Sequence, residues 1–282
     1  MFKWLFGLTF VGFVIFLGYL AWPYGVFDLA DHNPKTTAII EIRRKEALAL
    51  HRPFHPQMEW RDLADISPNL THAILLAEDD TFYQHHGFDY EQIRIAIAEN
   101  IVKQKYAYGG STITQQLART LFLRPRKAII RKVKEAFITI YLEHTLSKKR
   151  ILELYLNVVE WGPGIFGAEA ASEYYFHKSA KDLTSDEAVA MASILPSPRR
   201  WSPFSEKAFM ARRRTQLTVR MQKAGYAPVT FMDGDEAGLL PIDPDAIVGE
   251  PSSSSATLED VTPPSHPTAI PDPDSTAAPS NQ

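Results

Sequence analysis

From Trp4 to Trp22 the chain reads WLFGLTFVGFVIFLGYLAW, without one charged residue. No other stretch restricts the fold as much. A helix of about 20 apolar residues crosses the hydrocarbon layer of a bilayer, and this run has that length. Trp4, Tyr19, Trp22 and Tyr24 stand near its ends, where interfacial aromatics sit. The competing reading is a cleaved secretion signal, whose apolar stretch is roughly 7–15 residues long and ends in small residues. Here the run is longer and passes into Ala-Trp-Pro-Tyr-Gly. An uncleaved transmembrane helix over 4–22 is therefore expected. Lys3 is the only charged side chain before it, so charge bias specifies orientation weakly.

The opposite end is also legible. Residues 250–282 are rich in Pro, Ser and Thr and nearly free of large apolar side chains. Such a segment cannot offset its ordering entropy by burial, so a disordered tail is expected, preceded by an extension over 227–249. The 282 residues are 45% hydrophobic, enough for one sizeable core in between. A net charge of −3 argues against a general nucleic-acid binder, although basic residues cluster at 124–134 and 148–150. There is no cysteine, which excludes disulfides, thiolate metal sites and cysteine nucleophiles.

Most segments between Asn33 and Tyr226 carry helix signals. Ser67 is placed to cap a helix that starts at Pro68. YEQIRIAIAENIVK sets Ile93, Ile97 and Ile101 on one face. Thr112 with Gln115, and Thr184 with Glu187, match the capping box. A long helix is expected over IIRKVKEAFITIYLEHTL, and Ser147 can cap the next. Gly162, Pro163, Gly164 and Gly167 break the pattern, Pro196 ends a further helix, and the last runs from near Ser205 to Gly225. No alternating run of any length suggests strands. The fold class is mainly α.

The stretch YGGSTITQQLART, Tyr108 to Thr120, gathers the first chemistry. Gly109-Gly110 lets backbone approach a ligand closely, and the helix beginning near Ser111 presents free N–H groups with partial positive charge. That is an anion site, though not a Walker loop, whose spacing is missing. Downstream follow Arg119, Arg124, Arg126, Lys127, Arg131, Lys132 and Lys134, interleaved with apolar residues. Such a stretch suits an anionic membrane surface. A plain capped helix with a solvated basic face is the bland alternative.

Two carboxylates stand out. Glu78 ends the apolar run AILLA at a predicted helix C-terminus, beside other acids. Dipole, desolvation and like charge all raise its pKa, which suits a general base or acid. Asp79, Asp80 and Asp89 are nearby alternatives, and Asp79 can instead cap the following turn. His85 and His86 in this turn read as structural rather than metal-binding. Glu135 shares a helical face with Arg131, Ile138 and Leu142, which predicts a half-buried carboxylate paired with Arg131.

These residues form a familiar pattern. EDDTFYQHHGFD, GGSTITQQLA, RKVKEA, KKRILELYLNVVEWGPGIFGAEAASEYYF and DEAVAMASILPSP occur in this order between about Pro68 and Trp201. The chain resembles the peptidoglycan glycosyltransferases, specifically the monofunctional biosynthetic type of Gram-negative bacteria. The resemblance implies a lysozyme-like glycosyltransferase domain over 67–226, with a smaller membrane-associated lobe. A cytoplasmic end over 1–3, the transmembrane helix and a periplasmic lead-in over 23–66 would precede it. The location implied is the bacterial inner membrane, with the catalytic domain periplasmic.

The implied substrates are lipid II and the growing glycan chain, polymerised with release of undecaprenyl diphosphate. Other cell-wall synthesis proteins and membrane lipid are the implied partners; nucleic acid is not. Glu78 matches the general base that deprotonates the acceptor 4-hydroxyl, and Glu135 matches a second glutamate that positions the donor. Ser111, Thr112, Gln115 and Gln116 match the donor-side stretch, Arg131 and Lys132 a basic pair, and Asn157 a supporting position. Arg119-Thr120 stands where the family commonly has Lys-Asn, and a further basic residue matches either Lys127 or Arg126. A magnesium or manganese ion could bridge the diphosphate, but no residue fixes one. Neither S-x-x-K nor K-T-G occurs, so no transpeptidase activity is expected. The rival readings are a glycan-cleaving enzyme on the same scaffold, using Glu78 and Glu135, and an inactive membrane scaffold for wall enzymes.

Overall fold

Short polar side chains decide where most of the helices begin. In the computed structural model, which describes residues 10–11, 18, 22, 25–103, 110–124 and 128–226, the first helix α1 (Ala38–Ala49) starts after Thr37, whose hydroxyl accepts the Ile40 N–H. Ser67 does the same for α2 (Pro68–Glu78), with Pro68 at the first position as expected. Next come α3 (Tyr90–Lys103) and α4 (Ile113–Phe122), the latter opened by a complete Thr112–Gln115 capping box. The long α5 (Ala128–Thr145) leads to α6 (Lys148–Val158), capped by Ser147. Then follow α7 (Ala168–Phe176), α8 (Ser185–Ile194), opened by the Thr184–Glu187 box, and α9 (Ala208–Lys223).

The last helix stops as the sequence implies. Gly225 N–H bonds to the Gln222 carbonyl and Tyr226 N–H to that of Met221, which is a Schellman pair. Its start lies three residues later than expected. Ser205 N–H bonds to the Ser202 carbonyl in a turn, and Arg214 from α9 occupies the carbonyls of Pro203 and Ser205. Those carbonyls are unavailable to a longer helix.

Three short strands were not expected. β1 (Gln57–Met58), β2 (Glu160–Gly162) and β3 (Ile165–Phe166) form a sheet in the order β1-β3-β2. β3 is parallel to β1 and antiparallel to β2. Segments of two or three residues are too short to show alternation, and both β2 and β3 are wholly buried.

The core forms where α2 packs on α8 and α9, and where α4 packs on α5 and α6. Leu70 and Ile74 of α2, Ile113 and Leu117 of α4, Ile138 and Leu142 of α5, and Tyr155 of α6 are all fully buried. Asn157 ties α6 to an extended segment: its amide donates to the Arg61 and Glu153 carbonyls and accepts the Arg61 N–H at 2.8 Å. The α3 helix behaves differently. Ile97 is 54% and Ile101 72% exposed, so its apolar residues do not join the core.

Among the described residues no helix is long and apolar enough to cross a membrane. The expected anchor over 4–22 lies outside them, apart from Phe10, Val11, Gly18 and Trp22. So do Arg126, Lys127 and residues 227–282.

Gly167 closes the hairpin at a φ of +81°, and a Cβ there would lie 2.6 Å from the Asn157 carbonyl oxygen. Backbone conformation and space both exclude a side chain. Gly167→Ala is expected to cost about 2 kcal/mol or more in denaturant unfolding.

Candidate active site

The α2 helix carries its apolar face into the core and delivers its last residue, Glu78, to the wall of a cavity. The Glu78 side chain is only 14% exposed. Gln116 Nε2 of α4 donates to its Oε2 at 2.9 Å, and Arg213 Nη2 of α9 reaches its Oε1 at 3.4 Å. Behind Gln116, the fully buried Tyr155 hydroxyl donates to the amide oxygen at 3.1 Å, which fixes the direction of the amide. Burial raises the Glu78 pKa; the Gln116 hydrogen bond and the charges of Arg213 and Arg119 oppose this, and Asp79 adds to it. The net shift is upward. Burial also pushes the Tyr155 hydroxyl well above its usual range, so it acts as a donor and not as an acid.

The next residue does structural work. Asp79 Oδ2 accepts the Ile113 N–H at 2.9 Å, and its Oδ1 meets His85 Nε2 at 2.9 Å. Gly87 N–H donates to His85 Nδ1, so the ring is the tautomer that carries its proton on Nε2. Gly87 itself has a φ of +90°, and a Cβ would lie 2.7 Å from Thr139 Cγ2. Asp89 closes the loop, accepting from Gln92 N–H and the Thr81 hydroxyl. Burial pushes the Asp89 carboxyl up, but these hydrogen bonds prevail and hold it below its usual value.

The start of α4 faces the same space. A cavity of about 270 Å³ is bounded by Glu78, Asp80, Gln92, Ser111, Thr112 and Arg220. Ser111 and Thr112 differ in freedom. Thr112 Oγ1 donates to the Gly87 carbonyl at 2.7 Å and accepts the Gln115 N–H, while Gln115 Oε1 accepts the Thr112 N–H. Both side chains are thus engaged in holding the helix start. Among the described residues, Ser111 Oγ meets Lys132 Nζ alone, at 3.3 Å.

Glu135 is more deeply placed than its sequence position suggested, at 1% side-chain exposure, and its partner differs. It pairs with Lys132, one turn earlier, at 2.5 Å, and not with Arg131. Helical side chains lean toward the N-terminus, and the three-residue step lets Lys132 touch both Glu135 and Ser111. Arg131 Nε is buried and has no hydrogen-bond partner among the described residues. Arg119 stands in the last turn of α4, near enough to act on the Glu78 charge. Asn157 has both amide hydrogens bonded inside the fold.

Three side chains at this site escaped sequence reasoning. Tyr155 stands two residues before Asn157 and carries no mark of its own. Arg213 is the middle one of three consecutive arginines, and only the packing of α9 on α2 selects it. Arg220, a further two turns along α9, pairs with Asp80 at 2.9 Å on the cavity rim.

This arrangement offers one shielded proton acceptor, a helix N-terminus, and cations on two sides. Among the described residues no three His, Asp or Glu side chains gather as ligands, and Asp79, Asp80 and Asp89 are already engaged.

A model of the Transglycosylase family matches residues 46–222. The biosynthetic peptidoglycan transglycosylase of Aromatoleum aromaticum is 45% identical over 216 residues, covering 76% of this chain and 92% of that protein. Its counterpart from Chromobacterium violaceum is 42% identical over 211 residues, covering 73% and 91%. That of Laribacter hongkongensis is 37% identical over 222 residues, covering 78% and 97%.

The different engagement of Ser111 and Thr112 is measurable. Thr112→Val removes a helix cap and leaves the Gly87 carbonyl unpaired, which is expected to cost about 1–3 kcal/mol in denaturant unfolding. Ser111→Ala is expected to stay within roughly 0.5 kcal/mol of the parent.

Proposed function

The chain belongs to the transglycosylase family and is a peptidoglycan glycosyltransferase, and on that premise we propose that it polymerises lipid II into β-1,4-linked glycan with Glu78 as the general base. The observation that carries this reading is the cavity shared by Glu78 and the N-terminal end of α4. Glu78 takes the proton of the acceptor 4-hydroxyl as that oxygen attacks the donor anomeric carbon. The bond to undecaprenyl diphosphate breaks on the opposite face, so an α-linked donor gives a β product.

The diphosphate is already a good leaving group and needs charge stabilisation more than a strong acid. Ser111 and Lys132, which meet each other at 3.3 Å, suit that task, and Arg131 adds positive charge beside Lys132. Thr112 and Gln115 act by holding the start of α4 in place, and Asn157 by tying α6 to the segment at Arg61. Glu135 anchors Lys132 and lends negative charge near the donor sugar, where positive charge develops. Arg119 adds to the cationic charge, as would the basic residue at 126 or 127, which lies outside the described residues. Gln116 orients the base.

Membrane attachment belongs to the same reading. Residues 4–22 anchor the chain in the inner membrane with the catalytic domain in the periplasm. The exposed apolar residues of α3, among them Ile97, Ile101 and Val102, suit the smaller lobe that dips into lipid. Transpeptidase signatures are absent from the sequence, so the activity proposed is glycan polymerisation alone. Any divalent ion would be held by the substrate diphosphate.

Incubating the full chain with lipid II in detergent or proteoliposomes tests this. Polymer and undecaprenyl diphosphate are expected; cleavage of finished glycan with no polymerisation would overturn the proposal. Glu78→Gln is expected to slow polymerisation about 100-fold or more. It should not destabilise the fold at pH 7. A carboxyl whose folded pKa lies above its unfolded value costs stability once ionised; that cost begins to shrink as pH falls to the raised folded value and is gone below the unfolded one. Any stability advantage of the Gln variant should accordingly shrink in acid.

A further inference from the structure

The Glu78 carboxylate is held from two sides, and only one belongs to the sequence stretches that mark the site. Gln116, on the Oε2 side, lies in the stretch that opens α4. Arg213, on the Oε1 side, comes from α9, well beyond them. Its side chain is about three-quarters shielded from solvent, at 26% exposure. A second hydrogen bond, from Nε to the Ser193 carbonyl at 3.0 Å, aims the guanidinium. That carbonyl lies near the end of α8, which packs with α9 against α2. The two neighbouring arginines do other things: Arg214 secures the turn before α9, and Arg212 is exposed.

We propose that Arg213 is a positioning residue for the base, holding the Oε1 edge of Glu78 so that the carboxylate stays ionised and aimed into the cavity. The proposal rests on Glu78 being the base. The physical need is plain. A carboxylate enclosed by apolar surface tends to take up a proton, and a protonated base cannot accept another. Gln116 supplies a dipole, which orients but compensates burial only in part. A cation at 3.4 Å is close enough to favour the charged form, yet longer than a tight ion pair, so the oxygen stays available to a substrate hydroxyl.

Other charges face Glu78 and do not replace this one. Arg119 of α4 acts without a hydrogen bond to it, Asp79 acts in the opposite sense, and Tyr155 reaches it only through Gln116. Arg220 is paired with Asp80. Arg213 is thus the cation of the described residues that touches the base directly.

The test is the pH dependence of lipid II polymerisation by the full chain carrying Arg213→Met or Arg213→Lys, beside Arg214→Met and Glu78→Gln. With Arg213→Met, kcat at neutral pH should fall about tenfold or more while KM stays near the parent value. The acid limb of the kcat/KM profile should move to higher pH, because losing the cation lets the base hold its proton longer. Arg213→Lys should restore much of both. Arg214→Met should lower the melting temperature and leave the acid limb in place.

A raised KM with an unmoved limb would overturn the proposal and make Arg213 a substrate contact. A lowered melting temperature with an unmoved limb would overturn it in favour of packing alone. Full activity in Glu78→Gln would instead remove the underlying assignment of the base, which is a distinguishable failure.

Discussion

One carboxylate joins the two halves of the site. Asp79 follows Glu78 in sequence, and its Oδ2 accepts the N–H of Ile113, the first residue of α4. That bond places the end of α2 against the start of α4. Glu78 on one and Ser111 before the other are thereby held at a fixed separation. A negative charge at a helix N-terminus is favourable in itself. His85, holding the other oxygen through its Nε2–H, keeps Asp79 from turning away. The Gln116–Glu78 and Thr112–Gly87 hydrogen bonds reinforce this link, and together the three make Glu78 and Ser111 face one cavity.

The same economy explains why the stretch GGSTITQQLA contains more polar groups than a ligand needs. Thr112 and Gln115 complete a reciprocal box and anchor to Gly87, which lies in the same loop as Asp79 and His85. Loop and helix start therefore brace each other through short hydrogen bonds in a buried setting, where leaving any group unpaired is costly. Ser111 and Gln116 are left over from that framework, and they meet Lys132 and Glu78 respectively. Half of an apparent ligand-binding motif is scaffold, and the scaffold is what gives the remaining half its direction.

Much of this could be read from the chain because local chemistry dictates it. Ser67, Thr112, Ser147 and Thr184 mark helix starts by satisfying N–H groups that have no partner otherwise, and each does so in the structure. Glu78 at the end of an apolar run had to be shielded. Features that depend on distant parts of the chain were not legible. The strands are too short to have a period. Helical spacing allows either Lys132 or Arg131 as partner of Glu135, and only the packing around α5 selects Lys132. Arg213 is indistinguishable from Arg212 and Arg214 until α9 is packed on α2.

The position of α3 ties the cavity to the molecule's surface. Gln92, in its first turn, borders the cavity, and farther along the same helix Ile95, Ile97, Ile101 and Val102 are exposed. A polar cavity thus continues along one helix into an apolar surface. For an ordinary soluble enzyme that surface would be a liability. For the proposed substrate it is a match, since a sugar diphosphate carried on a prenyl chain is itself polar at one end and apolar along the rest. The headgroup can then occupy the cavity while the chain stays in lipid, and binding need not extract it from the bilayer. Under that proposal a helix that keeps its isoleucines outside the core has a purpose: burying them would improve packing and remove the proposed route of a lipid-borne donor to Glu78.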